Sequence, residues 1–392
     1  MLVRKVSNMG CVLVGVLLLL LDVSMPASIS GVRPTAISFP SLLSSVHIEG
    51  TVEFCGETVP LERQEVKERF EKELLLSLWD RPQVILWLKR SSRYLPHVEK
   101  MLREANMPDD LKYIAIAESA LRPHVRSRKG ATGFWQFMKS TGRKYGLTIS
   151  SRVDQRRNIF DSTSAAIKYF RDLRQLLGSW TLAAAAYNMG EEGLLAEILE
   201  QGTNDYYSLY LPLQTQRYVF RVVAAKLILT QPNRFGFHLA ETDYYPQLTF
   251  DKVVVHCSRD VPLRIVGQAA ETSFKVVKDL NPEIRGHYLP PGDFTLRLPE
   301  GSAKKFQQRY AALVKKWLAE RDELVYLVQK GDNLSTIAEK FEVPLAALLI
   351  WNRLNLKEPI HPGDELIVRR KESVDIAADQ QNDFTDKSLP QE

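Results

Sequence analysis

"LKYIAIAESALRPHVRSRKGATGFWQF", residues 111–137, decides how this chain is read. An apolar run of Tyr113, Ile114, Ala115, Ile116 and Ala117 is broken by one carboxylate, Glu118, and resumes at Ala120 and Leu121. Burying an ionised carboxylate is costly unless it is paired, and the usual escape is a raised pKa that keeps the proton near neutrality. A protonated Glu is the form a general acid needs. The competing reading is a structural Glu paired with Arg122 at i+4 on the same helix. The segment alone leaves both readings open.

Working outward, residues 60 to about 237 carry helical patterns. "LERQEVKERFEKELLLSLW" (61–79) spaces its apolar positions for one buried helical face. Pro96 is placed to open a helix that ends at a turn over 106–110. "DSTSAAIKYFRDLRQLLG" (161–178) offers Asp161 or Ser162 as N-cap and Gly178 as stop. "SWTLAAAAYNMG" (179–190) reads as an Ala-rich helix ended by Asn188 and Gly190, and "QRYVFRVVAAKLILT" (216–230) closes an all-α unit.

Past residue 240 the pattern changes to short β-like runs around short helices, and the sequence repeats at an offset of 71. Asn281 falls on Asn352, Leu263 on Leu334, Val277 on Leu348, and Pro291-Gly292-Asp293 on Pro362-Gly363-Asp364. Two copies at fixed offset imply two units of one fold. The second predicts a strand over 326–328, a turn at Lys330, Gly331 and Asp332, a helix over 334–341, a helix opened by Pro344, and a strand after Gly363.

With 392 residues, the chain is too long for one ordinary core. Its 45% hydrophobic and 25% charged residues argue against wholesale disorder, and a net charge of +5 permits an anionic polymer as partner without choosing one. No RNA- or DNA-reading motif accompanies that charge. Arg4 and Lys5 precede an apolar run over 11–21 and a small-residue stretch, the layout of a secretory signal peptide. Cys55 and Cys257 then allow at most one disulfide, and the scattered histidines give no metal spacing.

Taken together, "ESALRPHVRSRKGATGFWQFMKSTGRKYG", "LAAAAYNMG" and "LPLQTQRYVFRVVAAKLI" resemble the catalytic domain of family 1 lytic transglycosylases, of lysozyme-like, goose-type fold. "YLVQKGDNLSTIAEKF" with "WNRLN" and "HPGDELIV" resembles a LysM glycan-binding module. The copy before it resembles a degenerate LysM, with Arg259-Asp260 near its turn. The resemblance implies a multidomain chain: an all-α lysozyme-like catalytic domain followed by two small α+β (βααβ) modules. The expected boundaries are a signal peptide over 1–30, a helical lead-in over 31–95, the catalytic domain over 96–237, LysM-like modules over 250–300 and 324–370, a linker helix over 301–323, and a disordered tail over 371–392.

That family implies Glu118 as a single catalytic acid and base acting without cofactor or metal on peptidoglycan glycan strands. It breaks the bond between N-acetylmuramic acid and N-acetylglucosamine to leave a 1,6-anhydro end, which departs from the two-carboxylate scheme of ordinary glycosidases. Ser127, Gln136, Tyr187, Asn188 and Tyr218 match substrate-binding positions. Ser119 reads as a helix serine bonded to its own backbone, and Phe134, Trp135 and Phe137 as core. Gly331, Asp332 and Asn333 match the glycan-contacting turn of the LysM, with Trp351 assigned to packing. Two departures from the family are Lys139, where Pro is frequent, and Gln214-Thr215, where Glu-Thr is common. Arg122, Arg126, Arg128 and Lys129 form either a solvated face or a patch that draws the carboxylates of peptide stems. Export to the bacterial periplasm, with membrane association through the N-terminus, completes the expectation. A hydrolase of lysozyme type and a noncatalytic glycan-binding scaffold are the alternatives.

Overall fold

The computed structural model describes residues 40–319, 323–356 and 359–370. The expected signal peptide and C-terminal tail lie outside the described residues. Among the described residues no helix is long and apolar enough to cross a membrane, and Cys55 and Cys257 are both free thiols.

The helical body begins with α1 (Gln64–Trp79), which buries Val66, Phe70, Leu74 and Leu78 at helical spacing. Next comes α2 (Arg81–Glu104), whose start is fixed by the Asp80 side chain accepting from Gln83 N at 3.2 Å. Pro96 therefore opens nothing: it lies inside α2. Proline removes one helical hydrogen bond there, and the helix persists because Leu88, Leu95, Val98 and Leu102 are buried. One hydrophobic core runs from Val52 to Phe237, so the boundary expected at residue 96 does not divide the core.

A 3-10 turn, Asp109–Leu111, leads into α3 (Lys112–Ser119). The cap of α4 (Ile159–Leu177) is Asn158 rather than Asp161 or Ser162, its Oδ1 accepting from the Phe160 and Asp161 amides at 2.9 and 3.2 Å. As expected, α4 stops at Gly178, at φ 71°. In α5 (Trp180–Met189) the four alanines 183–186 are fully buried, which lets the backbone pack closely between α4 and α6 (Leu213–Thr230). Both α1 and α3 pack on α6 as well. This last helix carries Tyr218, Val219, Phe220 and Val222 through the centre of the core.

Two small modules follow, each with its own core. In the first, β1 (Asp251–Cys257) and β2 (Gly292–Leu298) pair antiparallel with Val253 opposite Leu296, flanked by α7 (Leu263–Ala269) and α8 (Phe274–Leu280). The expected linker is largely α9 (Phe306–Ala319), whose Phe306 and Tyr310 enter that core. It is a third helix of the module. The second module has β3 (Glu323–Leu327), α10 (Leu334–Lys340), α11 (Leu345–Asn352) and β4 (Glu365–Arg370), with β3 antiparallel to β4.

The repeat has a physical basis in one clamp made twice. Asn281 Nδ2 donates to the Val277 and Arg297 carbonyls at 2.8 and 2.7 Å, and its Oδ1 accepts from Arg297 N at 2.8 Å. Asn352 does the same with Leu348 O, Ile367 O and Ile367 N, at 2.9, 2.8 and 2.6 Å. The strand partner lies 16 residues on in one copy and 15 in the other, so the two copies slip by one residue after the Pro-Gly-Asp match.

Candidate active site

The helix carrying Glu118 ends abruptly. Ala120 and Leu121 follow at φ 52° and 56°, left-handed conformations that cost a residue with a Cβ about 1–2 kcal/mol each. The Ala120 amide still bonds Ile116 O at 2.8 Å. Because the chain turns here, Arg122 is not on the helix, and its Nε donates to Ser119 O at 3.2 Å. Among the described residues the ion pair of the structural reading is absent.

Glu118 is instead half-buried in a cleft of about 360 Å³ lined also by Glu73, Asp80, Trp87, Arg217 and Arg221. The Tyr218 hydroxyl, on the fully buried face of α6, donates to Glu118 Oε1 at 2.6 Å. Burial pushes the Glu118 pKa above the ordinary carboxylate value, while the Tyr218 hydrogen bond and the Arg221 charge pull it down and leave a net rise. The place of Glu118 in the last turn of α3 acts in the same sense as burial, since the helix C-terminus disfavours negative charge. Arg221 is steadied by donating to Ala117 O at 3.1 Å.

The other carboxylates of the cleft are committed. Glu73, 2% exposed, accepts from Arg217 Nε at 2.5 Å and Nη2 at 3.3 Å, and Asp80 caps α2. Sequence reading missed this Glu73–Arg217 pair and Arg221. The signal was present for Glu73, a carboxylate on the buried stripe formed by Val66, Phe70, Leu74 and Leu78. It called for the question that was asked of Glu118.

A loop over 130–137 closes against the Glu118 helix. Gly133 sits at φ 87°, and a Cβ there would meet Arg156 O at 1.8 Å, so only glycine fits. Phe134, Trp135 and Phe137 are buried, with Trp135 Nε1 donating to Thr163 Oγ1 at 2.9 Å. Gln136 is half-buried at φ 50°, its Nε2 held by Val125 O and Gly133 O at 3.1 and 2.8 Å. Ser119 is buried and donates to Ala115 O, the local bond expected of it, and also to Phe134 O at 2.7 Å.

Tyr187 donates to Trp135 O at 2.6 Å and stacks on Phe170 with centroids 4.6 Å apart. Burial first, then the nearby Glu118 charge, pushes its pKa well up. Asn188 Oδ1 accepts from Thr215 Oγ1 at 3.0 Å, tying α5 to the start of α6. Ser127 stands apart on an exposed turn, where its Oγ accepts from Ala131 N at 3.0 Å. Arg122, Arg126, Arg128 and Lys129 are all exposed.

In the second module Gly331 takes φ 96°. Asp332 Oδ2 accepts from Tyr326 OH and Gln329 N, both at 2.8 Å, and these bonds, that of Gln329 first, hold its carboxyl below the ordinary range. Asn333 caps α10 by accepting from Thr336 N at 2.9 Å. Trp351 is half-buried.

Comparison with known proteins fits these parts. Residues 97–209 match the transglycosylase SLT domain, 326–369 the LysM domain, and 249–315 the LysM-like domain of lytic transglycosylase MltD. The last range takes in most of α9. The chain is thus a helical SLT transglycosylase domain followed by LysM modules. It is 31% identical over 310 residues, 76% of its length, to the membrane-bound lytic murein transglycosylase D of Escherichia coli K12, covering 68% of that protein, with the same figures for strain O6:H1. It belongs to the lytic murein transglycosylase family and is an enzyme of that family. The solved 70 kDa soluble lytic transglycosylase of E. coli aligns over 50% of this chain and 34% of its own, at 18% identity and a TM-score of 0.33.

Proposed function

We propose that the enzyme cleaves the β-1,4 bond between N-acetylmuramic acid and N-acetylglucosamine in peptidoglycan without water, with Glu118 as its only acid and base. Glu118 gives its proton to the glycosidic oxygen as that bond breaks. Its carboxylate then takes the proton of the C6 hydroxyl on the same muramic residue, and that oxygen closes on C1 to form the 1,6-anhydro end. The observation that carries this reading is the uneven state of the cleft carboxylates: Glu118 has a raised pKa and a neutral hydrogen-bond donor, while Glu73 is held by Arg217 and Asp80 by a helix cap. Glu73, buried and paired with Arg217, is not free to hold a nucleophilic water in the manner of an inverting glycosidase. Tyr218 steadies the carboxylate between the two proton transfers. Gln136, Tyr187, Asn188 and, from the exposed turn, Ser127 bind the glycan beside it. The 331–333 turn of the second module contacts the glycan away from the cleft.

The E. coli relative, a membrane-bound murein transglycosylase by name, supports murein as the substrate and a place in the cell envelope with association to a membrane. Glu118→Gln tests the catalytic assignment. The folded variant, checked by circular dichroism, is expected to leave no clearing in a murein zymogram. Near-normal clearing would overturn the assignment.

A further inference from the structure

The two LysM-type modules differ in what their surfaces face. In the second, the Lys330 and Gly331 turn is exposed. In the first, residues at the same 71-residue offset include Asp260, which is shared between the catalytic body, where Arg152 Nη1 lies 2.9 Å from its Oδ1, and the second module, where Arg353 pairs with its Oδ2. Beside it the backbones of 152–154 and 283–285 run antiparallel, with Val153 bridged to Ile284. Asp154 N donates to Glu283 O at 2.8 Å, and Arg285 N to Arg152 O at 2.7 Å. The side chains of Glu283 and Arg297, each 9% exposed, pair at 3.4 Å, and the Arg297 guanidinium lies 4.4 Å from the Phe160 ring at the start of α4.

This seam leads to the active-site loop through one residue. The Asp154 carboxylate grips Arg156 twice, at 2.8 Å to Nε and 2.8 Å to Nη2. Arg156 Nη1 donates to Gly130 O at 3.1 Å and Phe137 O at 3.0 Å, the two ends of the 130–137 loop. The loop in turn presents its Phe134 and Trp135 carbonyls to Ser119 and Tyr187. Hydrogen bonds joined by short stretches of backbone thus run from residues 283–285 to Ser119, the neighbour of Glu118.

We propose that the first LysM-like module is a brace for the active-site loop and does not bind glycan: its 283–285 edge fixes the Asp154–Arg156 pair and so positions loop 130–137 against the end of the Glu118 helix. Its contribution to turnover rests on the function proposed above, whereas its hold on the loop does not. Residues 283–285 are positioning residues, and a misplaced catalytic shell is felt in turnover even when the displacement is small.

Arg285→Pro in the full chain removes the amide that Arg152 O accepts and touches neither the cleft nor the 330–333 turn. Deuterium exchange at the amides of 130–137 is expected to rise at least about fivefold. On soluble glycan chains kcat is expected to fall about tenfold, with a smaller change in KM, while sacculus binding keeps its wild-type affinity. Arg152→Ala, which breaks the pair with the half-buried Asp260, is the second variant and moves the same readouts in the same direction should Arg285→Pro not fold. Unchanged exchange overturns the proposal, and so does raised exchange with unchanged kcat. Loss of sacculus binding with kcat on soluble chains intact also overturns it, by making the module a glycan binder. A wild-type protein without cleavage refutes the proposed function, and the exchange result still decides whether the brace holds the loop.

Discussion

Glu118 is stabilised in its neutral form, and that has a cost in stability that can be measured. A carboxyl whose pKa is raised by folding binds more protons folded than unfolded, so stability falls as pH rises from the ordinary carboxylate value through the raised one. Glu118→Gln keeps an oxygen for Tyr218 and cannot ionise. Its Tm is expected to exceed wild type's by a margin that grows across that window and is level above it, as thermal scans at pH 4 to 8 would record. Tyr218→Phe removes a donor that favours the charged carboxylate. The Glu118 pKa then rises further, moving the alkaline limb of the pH profile to higher pH, and kcat falls because the acid of the first transfer is weakened and the carboxyl loses the bond that holds it in place. The lost hydrogen bond costs about 1 kcal/mol of stability, readable in urea melts.

Between residue and fold lies the loop over 130–137, whose shape depends on a glycine with no space beside it. Gly133→Ala drives a Cβ into the Arg156 carbonyl and keeps a positive φ. A loss of at least about 2 kcal/mol is expected, measured by the denaturant midpoint. Elements of this kind separate what sequence can tell from what it cannot. The apolar interruption at Glu118, the Ala-rich helix and the Gly178 stop were legible because they depend on local spacing. The Pro96 helix start and the caps Asp161 and Ser162 misled for the same reason: Asp80 and Asn158 compete for those roles, and tertiary burial carries α2 through its proline. The Glu118–Arg122 alternative failed on backbone geometry, since two consecutive left-handed residues end the helix between them. Partners such as Arg217 and Glu73, 144 residues apart, leave no local trace.

Across the whole molecule, a duplicated fold has been put to two uses. The repeat was readable from Asn281 and Asn352 because each makes the same buried clamp. What each copy faces was not, since that depends on Arg152 and Asp154, more than a hundred residues away. Removing either clamp breaks three hydrogen bonds of roughly 1 kcal/mol each, so each alanine variant loosens its own module. Asn352→Ala is expected to weaken sacculus pelleting and spare turnover of soluble chains, and Asn281→Ala to do the reverse. The claim on which the enzyme's assignment turns is that bond cleavage takes no water. Digestion of purified murein in heavy-oxygen water, followed by mass spectrometry of the released fragments, tests it most directly. The expected result is unlabelled, non-reducing 1,6-anhydro ends one water lighter than a hydrolysed end; reducing ends carrying the heavy oxygen would contradict it.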